Sequence, residues 1–287
     1  CRTASGACTL RAAIDETNAL TGPNTIQIPA MKIYLNQELR INDHVGDDSV
    51  IIKGAGKNVT IIDGKGLSRA FYFSARSGNH SMSDLTIQNA TNRSTLFSER
   101  NGGGIFNEAS LTLTNVDIKN CKAFQGGGVY NQHAFVGPAG ENVPTLTLEN
   151  ITISGNTATA TELGFGGGGL FNGSLLYGNN VTITGNYAEL QGGGFYHNSY
   201  KPSTLKNFVI SNNVSKDGGG INTDLGDLLL EDGAINSNES RCCRPPNNAY
   251  TGGGGIYHNE GKLIIKNVIM SNRSEERRVG KECRSRW

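Results

Sequence analysis

Five carboxylates fall between positions 217 and 232: Asp217, Asp224, Asp227, Glu231 and Asp232, with Lys216 beside the first. Carboxylates that converge can hold Ca²⁺, and a basic neighbour can then abstract a proton from a substrate. That is the equipment for elimination on an acidic polysaccharide. Asp217, Asp224, Asp227 and Asp232 are therefore the candidate catalytic set, and Ca²⁺ is the one cofactor such a reaction would need. Solvated turn residues account for the group equally well. A second set is aromatic: Phe106, Tyr130, Phe171, Tyr196 and Tyr257 each follow a glycine block by the same offset. If these rings point outward they form a stripe suited to sugar rings or a protein partner; if inward, they are an aromatic core stack, the commoner arrangement.

The elements that must position both sets repeat. Gly-Gly-Gly-Ile105-Phe106-Asn107 returns as Gly-Gly-Gly-Val129-Tyr130-Asn131, Gly-Gly-Gly-Leu170-Phe171-Asn172, Gly-Gly-Gly-Phe195-Tyr196-His197 and Gly-Gly-Gly-Ile256-Tyr257-His258, with a degenerate Gly-Gly-Gly-Ile221-Asn222 between the last two. The apolar residues are spaced by 24, 41, 25, 26 and 35 positions. Spacings near 25 match one coil of a β-solenoid, and the longer two imply loop insertions or an unmarked coil. His197 and His258 stand where other repeats carry Asn, so they replace ladder amides more simply than they bind metal. Triple Gly without a following Lys-Ser/Thr is no phosphate loop.

Between the blocks run strand pairs such as Leu111-Thr-Leu113-Thr-Asn115-Val116-Asp-Ile118 and Leu146-Thr-Leu148-Glu-Asn150-Ile151-Thr-Ile153. Alternation at period two buries one face of each strand. The Asn at each junction marks a corner, because Asn tolerates the left-handed conformation. A second Asn follows each pair (Asn89, Asn120, Asn156, Asn186, Asn212, Asn238, Asn272), and stacked coils would bring these amides into a hydrogen-bonded ladder about 4.8 Å apart. Of 287 residues, 39 are Gly and only 18% are charged, and no apolar run is long enough to span a bilayer. Near-neutral charge argues against nucleic acid or an anionic membrane as the main partner.

The opening residues, Cys1-Arg-Thr-Ala-Ser-Gly-Ala-Cys8-Thr9-Leu10-Arg11-Ala12-Ala13-Ile14, resemble the "CSLREA" motif that opens many bacterial surface and secreted β-helix proteins, with Thr for Ser and Ala for Glu. Later blocks resemble the repeats of chlamydial polymorphic outer-membrane proteins. The resemblance implies a right-handed parallel β-helix, the hand that parallel crossovers also prefer. Residues 9–20 read as a short amphipathic helix, with Thr9 as N-cap and Leu10, Ala13, Ile14 and Thr17 on one face, placed to cover the first coil. Cys1 and Cys8 are expected to form a disulfide across the preceding loop, as in an exported protein. Cys242 and Cys243 are expected on a projecting insertion, with their pairing and that of Cys121 left open. Polygalacturonases share four elements, of which only Asn222-Thr223-Asp224 is matched here; Asp47-Asp48 comes in the wrong order.

Arg273–Trp287 abandons the period, carries nine charges in fifteen residues and looks like a translated sequencing adapter. Setting it aside leaves 20 basic against 22 acidic residues and an open-ended fragment. The expectation is thus an all-β, single-stranded right-handed parallel β-helix: residues 1–24 an N-terminal cap with its helix, 25–272 the solenoid, 273–287 a non-native, disordered tail. Its expected role is display or adhesion at the extracellular or outer-membrane surface of a bacterium, non-catalytic and monomeric, with carbohydrate or a host or cell-surface protein as partner. The alternative is a lyase or glycoside hydrolase acting on acidic polysaccharide.

Overall fold

The computed structural model describes residues 8–41, 49–74, 79–96, 99–132, 143–161, 166–241 and 252–272. Nearly every element is a strand, and every pairing between strands is parallel. Three parallel sheets build the molecule, two along its length and a shorter one from Lys122 to Ser240. The largest carries the long strands Asn79–Gln88, Ser110–Lys119, Thr145–Ser154, Leu175–Thr184, Ser203–Ser211, Leu228–Asn236 and Leu263–Ser271; a second carries two-residue strands such as Thr157–Ala158 and Tyr187–Ala188. The third stacks Leu39–Ile41, Phe71–Phe73, Ile105–Asn107, Val129–Asn131, Leu170–Asn172, Phe195–Asn198, Ile221–Leu225 and Ile256–His258. The coils from Ile105 to Ser240 visit all three and the earlier ones two, so the chain is a parallel β-helix, wound in the right-handed sense that parallel crossovers take.

Val129 pairs directly with Leu170, and Ile221 with Ile256. The two long spacings are therefore single coils with insertions; residues 133–142, 162–165 and 242–251 within them lie outside the described residues. Two earlier coils, at Leu39 and Phe71, join the same column without any glycine block.

Each long strand bends at its middle, where Asp84, Asn115, Asn150, Asn180, Asn207, Asp232 and Asn267 hold φ between 48° and 57°. These corner residues link coil to coil on the outside: Asn150 donates to Asn115 at 3.0 Å, and Asn180 to Asn150 at 3.2 Å. The second expected ladder resolves into two adjacent columns. Asn89, Asn120 and Asn212 take the left-handed corner at the strand end, a position that Gly155, Gly185 and Ser237 fill in other coils. The residue after each corner points inward, so the buried ladder is Asn156–Asn186–Asn213–Asn238, with Cys121 above it. Asn213, not Asn212, belongs to it. Asn186 alone accepts from the Asn156 backbone N–H (2.9 Å) and amide (3.0 Å) and donates to Ile153 O (3.0 Å) and Asn213 Oδ1 (2.9 Å). Cys121 is free, and burial pushes its thiol up to about 12, which leaves it inert at neutral pH.

The glycine block makes the third corner. Gly126 sits at φ 58°, where a Cβ would lie 2.4 Å from the Val129 carbonyl oxygen and 2.8 Å from the Tyr130 Cβ. At Gly127 a Cβ would meet the Gly168 carbonyl oxygen of the next coil at 2.5 Å. The first glycine thus sets the turn and the second lets two coils touch backbone to backbone. Inside, Ile118, Ile153, Ile183, Ile210 and Ile235 form one of the apolar columns, each fully buried. Where Gly233 leaves a gap in another column, Phe208 of the preceding coil lies against it.

At the N-terminal end the helix Leu10–Thr17 is capped by Thr9, whose side chain accepts from Ala12 N–H at 3.2 Å. Leu10 and Ile14 are buried against the first coils, and Arg11 donates to the Gln37 and Glu38 carbonyls. Cys8 is disulfide-bonded; its expected partner Cys1 lies outside the described residues, as do Cys242, Cys243 and residues 273–287. Among the described residues no helix is long and apolar enough to cross a membrane.

The two ladders should differ in weight. Asn186→Ala takes the partner from the Asn156 backbone N–H, from one Asn156 amide hydrogen and from the Ile153 carbonyl, while Asn213 Oδ1 keeps the Asn186 backbone N–H. At about 1–3 kcal/mol per orphan, a loss of roughly 3–5 kcal/mol in urea denaturation is expected. Asn150→Ala, at a solvated corner, should cost about 1 kcal/mol. Equal losses would mean the inner ladder is not the stronger tie.

Candidate functional site

The aromatic residues take neither of the two places expected of them in simple form. Ile105, Val129, Leu170 and Phe195 fill the coil interior, so by alternation their neighbours face away from it. Yet Phe106, Tyr130, Phe171 and Tyr196 are buried as a separate core, with their chains folded against the glycine turns. Ring centroids step by 5.2 Å from Tyr72 to Phe106, then 5.1, 4.4 and 5.4 Å to Tyr196, with interplanar angles of 12–25°. Four of the five expected rings stack face against face and leave no open surface for a sugar. Tyr257, half-buried, lies beyond Asn222 at the far end.

Both ends of the stack are polar. At the C-terminal end the Tyr196 hydroxyl donates to Asp224, and burial with that bond pushes the phenol far up. The next column position is Asn222, wholly buried, with neither its Nδ2 nor its Oδ1 partnered. On the inner side of the same strands the amide ladder Asn107–Asn131–Asn172 runs into His197, whose Nδ1 lies 3.3 Å from the Asn172 amide. Thr223 and His258 continue this column and bond each other. Both histidines therefore stand in the amide column. Burial, only partly opposed by the charge of Asp227, lowers His197 to about 4, and burial does the same to His80, whose Nδ1 accepts from Val50 N–H.

The acidic candidates separate in space. Asp224 is held by Tyr196 and, at 3.4 Å, by Asn259; Asp227 accepts from Lys262 N–H in the next turn. Glu231 faces outward between Lys206 (2.6 Å) and Lys266 (4.0 Å). Asp232 is a corner residue that accepts from Asn267, and Asp217 immediately precedes a glycine turn. Among the described residues no three His, Cys, Asp or Glu side chains group as a metal would require.

What the structure does assemble lies at the other end of the stack. The column continues upward from Tyr72 to Arg40, whose guanidinium sits 4.4 Å from the Tyr72 ring. Arg69, only 4% exposed, lies over Tyr72 (5.4 Å) and Phe106 (4.9 Å). Glu38 bonds Arg40 at 2.5 Å and reaches Arg69 at 3.5 Å. Glu38, Arg40 and Arg69 line a groove of about 330 Å³, whose other walls come from Asn36 and Gln37, Leu67 and Ser68, residues 92–94 and Glu99, in three successive coils. Asn36, Gln37, Asn92, Arg93 and Glu99 make those walls polar. Asn92 shapes its loop by donating to the Glu99 and Asn101 carbonyls. The Tyr72 hydroxyl is anchored on Glu108 at 2.7 Å. The only sequence signal for this site is Phe71-Tyr72-Phe73, which carries the apolar–aromatic pattern without the glycines that mark the other repeats.

Asn222→Phe should extend the ring stack and remove two unpartnered polar atoms, stabilising the protein by about 1 kcal/mol and raising its melting temperature by a few degrees. A lower melting temperature would show that the buried amide is needed. The buried histidines set an acid limb. Each is neutral in the fold with its pKa depressed from 6.5 to about 4, so its contribution is complete above pH 6.5 and is lost as pH falls toward 4. Stability should drop by about 2 kcal/mol or more per histidine between pH 7 and 4. His197→Asn, which restores the ladder amide, should flatten that slope; an unchanged slope in pH-resolved denaturation would remove His197 as a cause.

No family model matches the chain, and no curated protein matches it. Among solved structures it is similar to the A-module of the Azotobacter vinelandii mannuronan C-5 epimerase AlgE4, with 13% identity over 91% of this chain and 92% of that one and a TM-score of 0.34. A likeness of that size says nothing of activity.

Proposed function

We propose that this chain is the ligand-presenting rod of an exported bacterial surface protein, and that it binds carbohydrate without transforming it. The observation that carries the reading is the groove at residues 36–40, 67–69, 92–94 and 99. Its volume is at the small end of ligand sites, and its walls are guanidinium, amide and carboxylate groups that suit a hydroxyl-rich ligand better than an apolar one. Three coils contribute to it, so the strand pairing that fixes coil against coil also fixes its shape. The disulfide at Cys8 supports an oxidising, extracellular setting. A rigid solenoid that carries its ligand on a lateral groove suits display and adhesion, where a stiff spacer holds the binding surface away from its anchor.

The full chain should retain polysaccharide in affinity electrophoresis across a panel of neutral and acidic glycans, with and without Ca²⁺. No reducing ends or unsaturated products should appear. Asn36→Ala and Gln37→Ala, both on exposed groove residues, should weaken retention by about three- to tenfold. Product release would replace the display reading with catalysis, and failure of a folded chain to bind any glycan would remove the carbohydrate partner.

A further inference from the structure

Resting on that carbohydrate reading, we infer that the groove recognises an anionic saccharide, with the Arg40–Tyr72–Arg69 stack as the anchor for its carboxylate or sulfate. Two guanidiniums flank one aromatic column here; the carboxylate that ion-pairs with both is Glu38, and Glu99 adds a weaker field. Glu38 is spent mainly on Arg40, at 2.5 Å, and is 3.5 Å from Arg69. Arg69 gives one terminal nitrogen to the Glu99 carbonyl, while its Nε is buried without a partner, as is the Ser68 hydroxyl in the same wall. A cation held 96% out of water with an unused donor is costly unless a counter-charge completes it. Burial already pulls the Arg69 guanidinium below its ordinary value.

The remaining charges of the groove, Arg93 and Glu99, cancel and leave the balance positive. The Glu99 carboxylate is turned to the Ser94 hydroxyl at 3.5 Å, and Arg93 adds an exposed cation at the rim. The groove thus carries a net positive charge on a near-neutral chain. Arginine rather than lysine suits this task, since its planar fork meets a carboxylate or sulfate in two directions while its face remains on the ring. The amides of Asn36 and Gln37 then lie beside the anchor for the sugar hydroxyls.

The test uses the full chain and titration calorimetry with four probes: oligogalacturonate, its methyl ester, dextran sulfate and neutral dextran oligosaccharide. Oligogalacturonate or dextran sulfate should bind at least tenfold tighter than the uncharged probes, and whichever does so names the anion. Arg40→Gln, on a half-exposed side chain that should not disturb folding, should remove most of that preference. Arg69→Lys should weaken binding about tenfold while keeping the charge; if it fails to fold by circular dichroism, Arg40→Gln carries the result. Binding of both polyanions no tighter than binding of the uncharged probes would overturn the anionic anchor while leaving the carbohydrate reading intact. Polyanion binding that Arg40→Gln leaves untouched would overturn it as diffuse charge attraction. No binding to any of the four probes would take both readings down together.

Discussion

Every feature of this protein depends on one constraint: each coil must hydrogen-bond the next through its backbone at the spacing of a parallel sheet, about 4.8 Å. Once coils are locked at that distance, every side chain has a copy of its own position directly above and below. A column must then be filled by groups that tolerate their own company. Isoleucines do so by packing, amides by donating to one neighbour and accepting from the other, and rings by stacking. Glycine does so at the one corner where backbone meets backbone and a Cβ at Gly127 would strike the next coil. Like charges do not, which is why the interior columns are apolar, amide or aromatic.

Much of this was legible in the sequence because the constraint imposes a period. The glycine blocks gave the coil length, and the alternating Leu-x-Leu and Ile-x-Ile runs gave the buried faces. Corner asparagines such as Asn115 and Asn150 stood where alternation breaks, and their left-handed backbone follows from what Asn tolerates. The inner ladder was blurred by a single position. Asn120 and Asn212 occupy corners while Asn156 and Asn186 sit one residue later, in the core. Two adjacent columns that both accept Asn cannot be told apart by residue type, because in Gly155-Asn156 and Gly185-Asn186 glycine takes over the corner.

The ring stack and the groove were less legible, each for its own reason. Alternation settles that Phe106 and Tyr130 point away from the coil interior, but not that the neighbouring turns bury them on that side too. That burial belongs to the path of the glycine turns, which depends on a φ of 58° at Gly126 and its counterparts. The groove brings together residues more than 20 positions apart along the chain, and two of its three coils lack the glycine mark. Arg40, Arg69 and Glu38 look like ordinary surface charges until the register aligns Arg40 with Tyr72. The acidic group at 217–232 shows the reverse case. Proximity in sequence becomes separation in space when one coil carries its residues to three different faces.

The same stacking rule explains why function gathers where a column ends. Inside the stack each ring is satisfied by the rings on either side, so nothing is left over to recognise a ligand. At its C-terminal end the column passes into an amide, and Asn222 is left with two unpartnered atoms in a buried place. At its N-terminal end it passes into cations. Arg40 and Arg69 can lie on the face of Tyr72 because a guanidinium is flat enough to continue an aromatic stack. A guanidinium placed there brings charge that the column beneath cannot neutralise. Glu38 is shared by the two, and the groove's three arginines outnumber its two carboxylates, so the solenoid's own packing leaves net positive charge facing a groove. A repeat protein that is chemically closed along its length can in this way be open to a ligand at the position where its repeat breaks.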